Sequence, residues 1–317
     1  MTRWTWHGGG IAAARTHFGD GDAPWLDLST GINPNPWPVP ADLAIDWQAL
    51  PDESGLAALE RAAADHFGAD PQHVCALPGT EIGLRLAGDV LPAPAAYFAP
   101  SYRTHGDMFG GARPATLAEA GDDTLIVANP NNPDGTTHAR ESLLVHRGWL
   151  VIDEAFADHA PELSLAGAVS DERRLVIFRS FGKFFGLAGL RLGFVIGPRA
   201  VIAKFRARLG AWPVSAASIA IGIAAYRDAA WIASSRADLR RRAAALDAVL
   251  ARHGLAARGC CPLFRLVETD QAEALFERLA RRAILTRPFD YDPRWLRLGL
   301  PGSEADLARL DTALTLG

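Results

Sequence analysis

Cysteine is scarce, with only Cys75, Cys260 and Cys261 in 317 residues. None forms a CxxC pair, so a disulfide framework is excluded and a reducing compartment is the default. Basic excess is also missing. The 32 Lys and Arg against 36 Asp and Glu leave a net charge of −4, which gives no electrostatic reason to expect a nucleic-acid partner. Long apolar runs are absent too, since stretches such as 125–128 and 150–152 fall far short of the ~20 residues a membrane span requires. The opening MTRWTWHGGG lacks the apolar centre of a secretory signal. The nine histidines show no metal-ligand spacing, and Cys260 and Cys261 read as a buried pair rather than ligands. What remains is a composition 49% hydrophobic and 21% charged, that of an ordinary globular chain. The length suits one large domain with a smaller one attached. A cytoplasmic enzyme acting on a small molecule is the expectation, with no nucleic acid, membrane or metal.

The first forty-odd residues are rich in Gly, Pro and Trp and read as an extended, turning arm. Leu56, Leu59, Ala63 and Phe67 then share one helical face, and Gly68 supplies a stop. A strand–helix alternation follows. Short apolar runs at 74–77, 95–99, 124–128, 149–152, 175–178 and 192–196 read as strands buried on both faces, the mark of a mostly parallel sheet covered by helices. An open α/β core is expected. From about Pro213 the pattern turns helical, with Leu239, Ala243, Leu246 and Leu250 in a stripe that Gly254 ends. The segment 263–317 reads as a compact α+β unit. The division expected is an arm at 1–45 belonging to a small domain, a large domain at 46–212, and the rest of the small domain at 213–317.

Polar residues gather where these strands should end. The strand at 124–128 runs into Asn129-Pro-Asn-Asn132-Pro-Asp-Gly135, the next into Asp153-Glu154, and the one after into Ser180-Phe-Gly-Lys183. Open α/β sheets bind ligands outside the carboxyl ends of their strands, so an Asn, an Asp and a Lys would converge on one rim. Each alone has a plain structural explanation as a turn, a cap or a surface charge. Their joint order is what points to chemistry.

With Pro78-Gly79-Thr80-Glu81 and Gly189-Leu190-Arg191, this constellation resembles the pyridoxal-phosphate enzymes of fold type I over almost the whole chain. The resemblance implies a mostly parallel, seven-stranded-type sheet between helices, a smaller α+β domain, and pyridoxal 5'-phosphate as cofactor. It makes Lys183 the lysine that binds the cofactor covalently and later shuttles a proton. Asp153 would keep the pyridine nitrogen protonated, and Asn132 would bond the phenolic oxygen. Gly79, Thr80 and Glu81 would offer backbone N–H groups to the cofactor phosphate, joined by Ser180 and Arg191. His105 stands where relatives carry the tyrosine that stacks on the cofactor ring. Two departures stand out: Phe156 replaces a tyrosine that reaches the phenolic oxygen, and Leu50-Pro51-Asp52 replaces a YPD-like segment. The family also implies a homodimer.

Within the fold the chain is most similar to the histidinol-phosphate aminotransferase branch, and inside it to the L-threonine-O-3-phosphate decarboxylases of cobalamin biosynthesis. The residues that carry this are His7-Gly8-Gly9, the segment Ser29-Thr-Gly31-Ile-Asn33-Pro34, the tetrapeptide Asp153-Glu154-Ala155-Phe156, and the run from Arg179 to Gly193. The resemblance places Arg297 on the substrate carboxylate and Arg287 on a second substrate anion, with His7, Gly8 and Gly31 beside them. Arginine suits both tasks because its planar fork binds oxyanions bidentately. Loss of CO2 from a phosphorylated amino acid is the implied reaction, with 1-amino-2-propanol O-2-phosphate as product. The alternative is transamination of histidinol phosphate or a related amino acid.

Overall fold

The computed structural model describes residues 4–19 and 23–315. Residues 1–3 of the expected arm and 316–317 of the expected small domain lie outside them. The chain divides into two compact units.

The larger unit comprises residues 36–132 and 137–234. Its seven-stranded sheet runs in the order Val74–Leu77, Gly193–Ile196, Leu175–Ser180, Leu150–Asp153, Thr124–Ala128, Ala95–Tyr97, Arg113–Pro114. Gly193–Ile196 is antiparallel to both of its neighbours, and the remaining pairings are parallel. The central strands are buried along their whole length, which is why they read as continuous apolar runs. Leu77, Phe178 and Val176 pack with Leu84 and Ala87 of the helix Thr80–Val90 and with Phe205 of the helix Arg199–Leu209. The helix Glu53–Phe67 begins where Asp52 accepts the Gly55 N–H at 2.6 Å, and ends at Gly68, whose φ of 67° suits a left-handed cap.

The smaller unit comprises 1–35, 133–136 and 235–317. A four-stranded antiparallel sheet orders Arg287–Pro288, Trp295–Gly299, Phe264–Glu268 and Ala257–Arg258, and Leu26–Asp27 pairs in parallel with Ile284–Leu285. Leu239, Ala243, Leu246 and Leu250 form a buried stripe on the helix Ala229–Arg252.

Several details differ from the sequence expectation. The turning arm contains a helix, Ile11–Phe18. Its weak periodicity is offset by aromatic packing, in which Trp4 meets His17, Phe18 and Phe276. The larger unit begins at Pro36 rather than 46, because Trp37 is tied by its backbone N–H to Phe185 and by its indole to Asp228. It extends to Ser234 rather than 212, because the helix Ala216–Arg227 packs on Glu53–Phe67. The excursion 133–136 joins the smaller unit, where Gly135 O accepts the Cys260 N–H at 3.1 Å. Cys261 is buried as expected, but Cys260 is exposed.

Candidate active site

Three neighbouring parallel strands of the larger unit deliver their carboxyl ends to one rim. The register sets Ala128 beside Asp153 and Asp153 beside Phe178. Asn129, Asp153 and the turn from Ser180 to Lys183 therefore emerge together, as hydrogen-bonded sheet geometry demands of adjacent strands. Asp153 is 7% exposed. Its Oδ1 accepts the Ala155 N–H at 3.0 Å, and its Oδ2 lies 3.1 Å from His105 Nε2. Asn132 is half-buried in the loop after Thr124–Ala128. Lys183 sits on the single helical turn Phe181–Phe184, with Nζ 5.8 Å from the centre of the Phe156 ring.

The Pro78-Gly79-Thr80-Glu81 segment opens the helix Thr80–Val90 with no side chain capping its N-terminus. First-turn N–H groups left in this way favour an anion. Arg191 supplies positive charge. It takes φ 56°, uncommon for a residue with a side chain, and donates from Nη1 to Ala188 O at 3.2 Å. Gly79 has φ 90°, and a Cβ there would lie 2.6 Å from Arg191 Nη2. Only glycine lets this guanidinium approach so closely. A Cβ at Gly193 would likewise strike Thr80 N at 2.7 Å. Glu81 turns its carboxylate toward Arg85 Nε at 2.7 Å and accepts from Tyr102 Oη and Thr104 Oγ1 at 3.0 Å. Burial, reinforced by Glu81, pushes the Tyr102 hydroxyl up to about 12. A glycine-lined cradle with a guanidinium, a buried carboxylate and a lysine on the same sheet edge is the donor set that a phosphorylated pyridine aldehyde requires, so these residues fit pyridoxal phosphate.

Sequence reasoning missed a charged layer behind Asp153. Arg179, buried in the strand Leu175–Ser180, donates to Glu154 Oε2 at 3.0 Å and Asp158 Oδ1 at 2.5 Å. Glu154 also accepts from Ser164 Oγ at 2.6 Å and the Leu165 N–H at 2.7 Å. His66 Nε2 lies 2.9 Å from Asp158. Burial opposes charge on Asp158, but Arg179 and then His66 outweigh it and hold its carboxyl well below the usual range. The signal available beforehand was Arg179 itself, a lone cation near the end of an otherwise apolar strand.

The smaller unit brings the remaining expected residues together. Arg287 and Arg297 are register partners on antiparallel strands. Arg297, 5% exposed, donates to Ser29 O at 3.0 Å. Arg287 donates to Trp6 O at 3.0 Å and Thr5 O at 3.2 Å. Gly9 N–H in turn donates to Ser29 Oγ at 2.8 Å, and a Cβ on Gly8 would collide with Ser29 O. The His7-Gly8-Gly9 segment is thereby fastened against the Ser29–Thr30–Gly31 turn, beside both arginines.

A mixed sheet with a lysine, an aspartate and an anion cradle along one edge defines a pyridoxal-phosphate enzyme of the aminotransferase type. The chain belongs to the aminotransferase class I and II family, whose pattern it matches over residues 112–314. It is 42% identical over 325 aligned residues to a threonine-phosphate decarboxylase from Sinorhizobium sp., with 97% of each chain covered. It is 38% identical to a threonine-phosphate decarboxylase from Pseudomonas aeruginosa, over 97% of this chain and 96% of the relative. A histidinol-phosphate aminotransferase from Sinorhizobium meliloti, solved with pyridoxal-5'-phosphate, shares the fold with a TM-score of 0.83 at 21% identity, over 96% of this chain and 93% of that one.

Proposed function

We propose that this chain decarboxylates L-threonine O-3-phosphate to (R)-1-amino-2-propanol O-2-phosphate, with pyridoxal 5'-phosphate as cofactor. The observation that carries the reading is the likeness to two threonine-phosphate decarboxylases along 97% of the chain. The tethering of the His7-Gly8-Gly9 segment beside Arg287 and Arg297 supports it. Among the described residues no helix is long and apolar enough to cross a membrane. A cytoplasmic homodimer serving cobalamin biosynthesis completes the proposal.

Each residue then has a task. Arg191 and the first N–H groups of Thr80–Val90 hold the cofactor phosphate, aided by Ser180. Asp153 would keep a proton on the pyridine nitrogen, and Asn132 would donate to the phenolic oxygen. When bound, the cofactor supplies an electron sink for the bond broken at the substrate α-carbon. Arg297 and Arg287, register partners in the smaller unit, bind the anionic groups of the substrate. The Cα–COO⁻ bond breaks, CO2 leaves, and Lys183 Nζ delivers a proton to the α-carbon in its place. Phe156 offers no hydroxyl where aminotransferases of the family carry tyrosine.

The test is incubation of the holoenzyme with O-phospho-L-threonine, measuring CO2 and amine. Equimolar CO2 and amino alcohol phosphate without any keto acid is the expected result, and Lys183→Ala should lose at least ~10³-fold in rate, the scale of removing a covalent catalytic group. An obligatory keto-acid acceptor would overturn the decarboxylase reading and leave an aminotransferase.

A further inference from the structure

We propose that Arg147, Arg173 and Arg174 form a second anion site, at the opposite end of the strands from Asp153, for a small molecule carrying a chain of phosphate groups. The proposal goes beyond the decarboxylation reading and does not rest on it.

Asp153 and Ser180 close the two strands that Leu150 and Leu175 open. The register pairs Leu150 with Leu175, so the segments leading into these strands lie side by side. The Leu150 N–H donates to Arg174 O at 2.8 Å. A recess of about 430 Å³ opens there, lined by Leu144, Leu150 and Leu175 together with Arg147, Arg173 and Arg174. That volume lies in the range of small-molecule sites. The loop that carries Arg147 is held in place from behind. His146 Nε2 donates to Asp123 O at 2.9 Å, and a Cβ on Gly148 would strike Asp122 O.

All three arginines are exposed, and no carboxylate neutralises them. Among the described residues neither Arg147 nor Arg173 makes an ion pair, and the Arg174 guanidinium donates only to Arg147 O, at 3.4 Å. The acids nearby are engaged with other groups. Asp171 accepts from Arg199 Nε at 2.6 Å, and Asp123 accepts from Arg113 Nη2 at 2.8 Å. A hydrogen bond from Ser170 holds the Glu172 carboxyl low. Several exposed arginines elsewhere do meet a carboxylate, as Arg85 meets Glu81, Arg252 meets Asp311 and Arg258 meets Glu268. This cluster departs from that pattern on a chain whose net charge is −4. Like charges held together repel, and an anion placed among them removes the repulsion.

The shape of the cluster selects the kind of anion. Arginine forks take phosphate oxygens in pairs. A lone phosphate engages one or two of these forks. A chain of phosphates spans the recess and presents oxygens to all three, which approach from two separate segments.

Titration calorimetry of the pyridoxal-phosphate-loaded protein with inorganic triphosphate, at low ionic strength, tests the site. Triphosphate should bind the parent at least about tenfold more tightly than orthophosphate does, and added salt should weaken it. Arg147→Gln combined with Arg173→Gln should weaken triphosphate about tenfold or more, the scale of one charge-assisted hydrogen bond lost. Arg240→Gln combined with Arg281→Gln removes the same charge from exposed positions outside the recess. That pair should leave the affinity within about twofold of the parent. Equal weakening by the two pairs would show a response to net charge alone and overturn the proposal. An affinity that the recess pair leaves unchanged would overturn it too, by assigning the anion to the substrate arginines or the cofactor cradle. So would the absence of measurable triphosphate binding to the parent.

Discussion

Arg287 and Arg297 face each other as register partners across two antiparallel strands, two cations on one side of a sheet. Like charges directly opposed destabilise a strand pair. Burial, and after it the charge of Arg287, pulls the Arg297 guanidinium down to about 9. A base with a lower pKa in the fold than in the unfolded chain costs stability while it is charged. The cost is complete below pH 9 and fades as pH rises from there toward the ordinary arginine value. An anion placed between the two guanidiniums removes that repulsion.

Arg297→Met should therefore melt at or above the parent temperature near neutral pH, while kcat/KM for the phosphorylated substrate falls by at least ~10²-fold, the cost of losing a buried charge-assisted contact. Thermal denaturation beside steady-state kinetics checks both. A marked drop in melting temperature together with unchanged kinetics would show that Arg297 is purely structural.

Gly79→Ala tests the anion cradle. The added methyl must displace the Arg191 guanidinium, 2.6 Å away, and must adopt φ 90°. Affinity for pyridoxal phosphate should fall by about tenfold or more, since strain and a displaced charged donor each cost about 1–3 kcal/mol. Equilibrium dialysis of the apoenzyme against cofactor reads this directly.

Phe156→Tyr restores a hydroxyl close to Lys183, whose Nζ lies 5.8 Å from the ring centre. The variant should remain folded, since a hydroxyl is the whole change, and should shift the visible absorption of the bound cofactor. An unaltered spectrum would place residue 156 outside the reach of the cofactor.

Asp158→Asn breaks the buried set of Arg179, Glu154 and His66 by leaving Arg179 with less compensation. A loss of about 3–5 kcal/mol is expected from removing one member of a buried ion pair. Because the Asp158 carboxyl is held low in the fold, its contribution is present above the unfolded carboxylate range and is lost as pH falls below it. The gap between parent and variant in denaturant unfolding should therefore narrow below about pH 4. A gap that stays constant down to pH 3 would contradict this.

The strands and the order of the polar residues after them were legible in the sequence because a buried parallel strand must be apolar on both faces, and the residues just past its end need not be. Asn132, Asp153 and Lys183 stood out for that reason. The helix Ile11–Phe18 did not, since its stability comes from Trp4 and Phe276 rather than from its own periodicity. The layer joining Arg179 to Asp158 and His66 was hidden because its members lie far apart in the chain.

The sequence by itself determined the sheet core and the order in which Asn129, Asp153 and Lys183 follow its strands, both of which follow from local pattern. Tertiary structure alone decided which of these groups meet. It set Arg287 opposite Arg297, tied Gly9 to Ser29, and brought His105 against Asp153. Register and side-chain direction are fixed by packing across distant segments, and no run of residues read alone contains that information.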